Sequence, residues 1–280
     1  MGKFWIAYGL MNEWGVNTSM TSTTILPRLY PEERSIFFRG RRIAGLSYFG
    51  TYHVSPGMDL QTDLYVGNNR GNKNYSQDDT SRKQWGGRLL LNTSALNYNL
   101  DEIKLAYSYM TGKYPPTSSV TNTEPTEDQL SVYSLKLQSR PISFKTEYTK
   151  SEISILEAEL SQIKPFISQN IQTELEGWYT QLGYDLTSRT QFVYRWDHID
   201  FNFTNYRSSG PTITGPGGSP VIGDMYLERQ LDYNEHVFTV NYDLGGMTIR
   251  PEYRYRDHED EIDGVIDDFA EYSFQVVAPF

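Results

Sequence analysis

Along most of the chain, apolar and polar residues alternate one for one. In MTIRPEYRYR (247–256), Met247, Ile249, Pro251, Tyr253 and Tyr255 oppose Thr248, Arg250, Glu252, Arg254 and Arg256. Successive side chains of an extended strand point to opposite faces, so this spacing predicts a strand with one apolar, aromatic face and one charged face. Pro251 has no N–H to give a neighbouring strand and predicts a local gap in the ladder. The same alternation marks 2–8, 43–54, 58–67, 84–93, 102–112, 129–139, 142–150, 174–186, 190–200 and 235–244. It also marks the last ten residues, EYSFQVVAPF, where Tyr272, Phe274, Val276, Ala278 and Phe280 oppose Glu271, Ser273 and Gln275. The pattern predicts about twelve strands.

The connections alternate in length. SPGM, SRP, LTSR and GGM are tight turns, and NTSALNYNLD (92–101) is a somewhat longer link. Between them lie long polar segments at 9–40, 68–83, 113–128, 151–173, 201–234 and 257–268. Links of that length count against a compact soluble domain. They are what a transmembrane barrel predicts, with short periplasmic turns at one end and long extracellular loops at the other. The fold class expected is all-β: one transmembrane antiparallel β-barrel domain over residues 1–280.

Three segments depart from the alternation. In SILEAELSQIK (154–164), Ser154 and Glu157 form a capping box, Leu156, Leu160 and Ile163 a stripe, and Pro165 a stop, which predicts one helix. SSGPTITGPGGSP (208–220) is rich in Gly and Pro and predicts a mobile loop. DHEDEIDGVIDD (257–268) invites a calcium reading, but Ala270 stands where a bidentate Glu would be needed, so a solvated acidic loop is expected and no metal site.

Composition narrows the picture further. Only 38% of residues are hydrophobic and mean hydropathy is −0.57, yet 14% are aromatic, which separates the chain from disordered sequences. No stretch approaches the ~20 apolar residues of a spanning helix, so a membrane protein here must cross with strands, whose lumen faces keep the average polar. There is no cysteine, hence no disulfide and no thiolate ligand. The net charge of −10 argues against nucleic acid as a partner. The start, MGKFWIAYG, has no signal-peptide pattern, so a leader is expected to have been removed or the sequence to be a fragment.

The charged faces supply the candidate chemistry. Arg88, Lys104, Lys136, Lys145, Arg195, Arg250, Arg254 and Arg256 alternate with lipid-type residues and are expected to line the pore. The inward acids read from the same strands are Asp63, Glu147, Asp197, Glu252 and Glu271. FFRGRRIAG adds Arg39, Arg41 and Arg42, with Glu32 and Glu33 nearby, where a long loop returns to the barrel. A basic lumen would concentrate anions even in an acidic molecule. The other reading of the same residues is a set of paired ladders filling a narrow barrel, and for the loop arginines a rim patch binding lipid phosphates.

GKFWIAYGLMNEW, in which a strand runs into Tyr8-Gly9-Leu10, followed by ILPRLYPEERSIFFRGRRIAGLSYFG, resembles the corresponding stretch of phosphate-selective porin O/P-type outer-membrane porins. The last strand with Phe280 is similar to the terminal signal of bacterial outer-membrane barrels. The resemblance implies a porin of the bacterial outer membrane that passes small hydrophilic solutes or anions by diffusion. Such porins carry strands ahead of the GKF-type strand, so this chain is either a smaller barrel or a fragment of a larger one. Outer-membrane lipid is the expected surrounding partner, a homotrimer is one arrangement open to it, and no cofactor is expected.

The chain is expected not to be an enzyme, with no catalytic residues assigned. Two other classes stay in view. A barrel lipase or protease would draw on His198, which shares a face with Trp196 and Tyr194, or on Asp257-His258. A barrel scaffold would enclose a partner protein.

Overall fold

The computed structural model of the chain describes residues 2–5, 7–10, 42–68, 83–97, 100–113, 127–155, 171–204, 213–214, 220–221, 233–258 and 269–278. All their regular structure is strand. Twelve strands form one antiparallel sheet: β1 (Gly2–Trp5), β2 (Arg42–Ser55), β3 (Met58–Asn68), β4 (Lys83–Asn97), β5 (Leu100–Lys113), β6 (Glu127–Ser139), β7 (Ile142–Ile155), β8 (Ile171–Thr187), β9 (Thr190–Thr204), β12 (Tyr233–Asp243), β13 (Thr248–His258) and β14 (Phe269–Val277). Each of the twelve strands pairs with the next of the twelve along the chain, the up-and-down order of a barrel wall. A two-strand ladder, β10 (Ile213–Thr214) with β11 (Pro220–Val221), lies within the Gly/Pro-rich segment expected to be loop.

Most strands are longer than the alternation predicted, and two boundaries show why. The link at 92–101 is mostly strand: β4 runs to Asn97 and β5 begins at Leu100, with a register shift between Ser94 and Asn97 that masks the alternation. Ser154 and Ile155, read as a helix start, pair as strand with Gln172 and Ile171, because ladder hydrogen bonds to β8 outweigh a local capping preference. The remainder of that helix signal, residues 156–164, lies outside the described residues. At Pro251 the β12–β13 ladder breaks between Thr239↔Glu252 and Tyr242↔Ile249, then resumes in the same register. On its other side Pro251 stays paired with Phe274. The β12–β13 turn needs glycine, since Gly245 (φ +78°) and Gly246 (φ +124°) succeed each other in the left-handed region. Leu244 N–H closes that turn on the Met247 carbonyl at 2.8 Å.

The two faces of the sheet have opposite chemistry. Leu46, Tyr48, Leu64, Leu89, Leu105, Tyr107, Tyr133, Leu182, Tyr184, Tyr272, Phe274 and Val276 stand exposed on the outer face. Buried on the inner face are Arg88, Ser108, Glu147, Arg195, Asp197, Glu235, Arg250, Glu252 and Arg254. This inversion suits a wall whose exposed side meets hydrocarbon. Outer rings meet across strands in two rows: Tyr107–Tyr133–Tyr148–Trp178–His198, and Tyr194–Phe238–Tyr253–Tyr272. Ring centroids lie 4.9–6.3 Å apart along Tyr107–Tyr133–Tyr148, between Trp178 and His198, and along the whole second row, so aromatic contacts run across several strands.

The last strand pairs with β13, and Glu271, Ser273 and Gln275 face in. The closed barrel expected from the sequence would also pair it with the first strand, but among the described residues β1 and β14 are the two edges of the sheet. Phe280 lies outside the described residues.

The sheet is nevertheless strongly curved. Leu10 N–H reaches Glu147 on β7, six strands from β1. In a flat sheet that separation is about 29 Å. Five residues beyond Trp5 extend at most about 18 Å. The chain makes the connection because β7 curls round to face β1, and residues 7–10 cut across the lumen as a chord.

Candidate pore surface

The register turns scattered charges into two cross-strand rows on the inner face. One row runs Lys104↔Lys136↔Lys145↔Gln181↔Arg195↔Val237↔Arg254↔Glu271. The row beside it, toward the long-loop end of β7, runs Ser134↔Glu147↔Tyr179↔Asp197↔Glu235↔Arg256. The first is basic and the second mainly acidic, so the lumen wall carries a field between adjacent rows.

At β9 to β14 the two rows neutralise each other. Arg195 Nε donates to Asp197 at 2.8 Å, and its Nη2 lies 3.8 Å from Glu235. Arg256 Nη2 donates to the same Glu235 at 2.8 Å, Arg254 lies 3.9 Å from it, and Arg254 also pairs with Glu271. Arg195, Asp197 and Glu235 are fully buried. Arg250 is held by neutral amides, Asn241 at 2.7 Å and Gln275 at 2.9 Å. For these arginines the paired-ladder reading describes the wall better than an open basic lining.

At β5 to β7 the balance differs. Three lysines stand directly opposite one another on adjacent strands. Glu102 bridges two of them, reaching Lys104 at 3.0 Å and pairing with Lys136. Lys145 has no ion pair among the described residues. Like charges directly across a ladder destabilise it, so this part of the row keeps its charge against a folding cost. Lys104 and Lys136 remain 31% and 21% exposed on the lumen side.

Arg88 has a different task. Its Nη2 and Nε sit 2.8 and 2.9 Å from Asp63, and Nη1 donates to the Gly9 carbonyl at 3.1 Å. Arg39 and Arg41 lie outside the described residues. Arg42 opens β2 opposite Trp5, and only its backbone is described. The acidic loop at 259–268 also lies outside them.

Among the inner acids that the strand-by-strand reading missed are Glu102 and Glu235. Both were in view: Glu102 stands two residues before Lys104, and Glu235 two before Val237, in the same alternation as their strands. The rows themselves had no local signal, because which residues lie opposite depends on register between strands.

On the outer wall His198 Nδ1 lies 2.9 Å from Asn234 Oδ1, which also accepts from Trp196 Nε1 at 3.1 Å. His236 Nδ1 bonds the Tyr194 hydroxyl at 2.9 Å. Both histidines thus stand among the aromatic rings of the outer face.

No family model matches the chain, and no curated protein matches it. Solved structures do. OmpT of Vibrio cholerae, expressed in the outer membrane, is similar over 91% of this chain and 65% of its own length, at 8% identity and a TM-score of 0.47. The copper transporter OprC is similar over 83% and 48%, at 10% identity and a TM-score of 0.38. The siderophore receptor PiuA from Acinetobacter baumannii is similar over 84% and 44%, at 11% identity and a TM-score of 0.36. The chain spans between 44% and 65% of the length of these proteins. The likeness is one of fold.

One expectation is corrected here. The sequence reading took the chain not to be an enzyme. A fold does not itself fix function, so that exclusion is withdrawn.

Proposed function

We propose that the chain forms the wall of an outer-membrane channel through which small hydrophilic solutes diffuse, with a weak preference for anions. The observation that carries this reading is the Lys104–Lys136–Lys145 row, three cations held side by side on the inner face with one bridging carboxylate. The inner surface binds water and ions, the outer binds lipid, and the backbone satisfies itself through the ladder. Anions entering the lumen meet the lysine row, while the balanced network of β9 to β14 stiffens the wall beyond β8. Reversal potentials across a planar bilayer in a salt gradient test the selectivity. Anion preference is expected, and cation preference would overturn the role given to the lysines.

A second reading, a barrel enzyme acting on lipid, is favoured by His198 and Asn234. The amide oxygen can only accept, so His198 Nδ1 carries the proton and Nε2 is the basic nitrogen, oriented on the lipid-facing wall. Ester hydrolysis by the refolded protein, lost in His198→Ala, would support this reading. No hydrolysis by the folded wild-type chain would remove it.

A further inference from the structure

Residues 7–10 leave β1 at the edge of the sheet and are held by three strands of the wall. Gly9 N–H donates to Ser108 Oγ on β5 at 3.0 Å. Leu10 N–H donates to Glu147 Oε1 on β7 at 2.6 Å. The Gly9 carbonyl accepts from Arg88 Nη1 on β4 at 3.1 Å, and Asp63 on β3 fixes that guanidinium from behind. Gly9 adopts φ +58°, the left-handed conformation that turns its carbonyl to one wall while two successive N–H groups address others. Tyr8 is 5% exposed, so its ring is packed away from solvent. A short polar backbone segment inside a lumen needs partners for its N–H and C=O groups, and here each comes from a different strand.

We propose that residues 7–10 are a strap across the lumen, clasped by Arg88, Ser108 and Glu147, which narrows the passage beside the lysine row. Glu147 lies one inner-face position from Lys145 along β7, so the strap passes next to the lysines. Arg88 and Glu147 then act as positioning residues for the strap, and solutes are confined to the space left beside it. This inference rests on the channel reading for its readout, and a second readout makes it separable.

The test is single-channel conductance of the full chain in planar bilayers. Glu147→Leu removes the acceptor at similar volume and is expected to raise conductance at least twofold. Glu147→Gln keeps an acceptor oxygen and is expected to restore the wild-type value. If wild type conducts and folded Glu147→Leu conducts identically, the strap is overturned while the channel stands. If wild type does not conduct, the channel reading fails and the strap is read by labelling. The chain has no cysteine, so Tyr8→Cys can be labelled with a membrane-impermeant maleimide with and without Glu147→Leu. At least tenfold faster labelling with Glu147→Leu supports the clasp, and equal rates overturn it. Should Glu147→Leu fail to fold, Ser108→Ala, which leaves no buried charge, is read in both assays by the same criteria.

Discussion

Lys145 and Arg195 sit in one cross-strand row, separated only by Gln181, yet their surroundings assign them different work. Arg195 is fully buried between Asp197 and Glu235. Removing one partner of such a network leaves buried charge uncompensated, which costs about 3–5 kcal/mol. Arg195→Ala is therefore expected to lower the unfolding free energy by that order in urea titrations of the lipid-reconstituted protein. A loss below about 1 kcal/mol would show that water reaches the network. Lys145 faces the lumen beside two other lysines, and reversing its sign should act on permeation. Lys145→Glu is expected to shift the reversal potential toward cations, and an unchanged potential would remove Lys145 from the ion path. Alternation is a local property, so the sequence could place Lys145 and Arg195 each on the charged face of its own strand. It did not separate structural arginines from lumen lysines, since that depends on partners such as Glu235, about forty positions from Arg195 in the chain.

The strands were legible as elements for the same reason, and their limits were not. Ser154 and Ile155 carry a helix-capping pattern but extend β7, and Asn92 to Asn97 read as a link but extend β4. In both cases the deciding hydrogen bonds come from a neighbouring strand that local sequence cannot see. The element scale also carries the membrane argument, through the outer faces. Leu182 on β8 is 47% exposed among Phe144 and Tyr194, its cross-strand neighbours. An arginine on the lipid face near the bilayer midplane costs about 2–4 kcal/mol. Leu182→Arg is expected to reduce stability by that amount in lipid vesicles, measured by urea unfolding. A neutral effect would mean that this face meets water.

At the scale of the whole molecule, alternating strands and alternating link lengths together specified an up-and-down antiparallel wall. The strap was half visible: Tyr8-Gly9-Leu10 was recognised as the exit from the first strand, but its path across the lumen required the curvature that brings β7 opposite β1. The closing contact between the first and last strands was expected and is absent among the described residues, where β1 and β14 remain edges. Net charge also misleads at this scale, since a molecule of charge −10 presents a basic row to its lumen. Single-channel recording of the refolded chain in planar bilayers decides whether this wall encloses an aqueous path. Discrete, reproducible conductance steps are expected. Folded, inserted protein that gives no conductance at any applied voltage would rule the channel out.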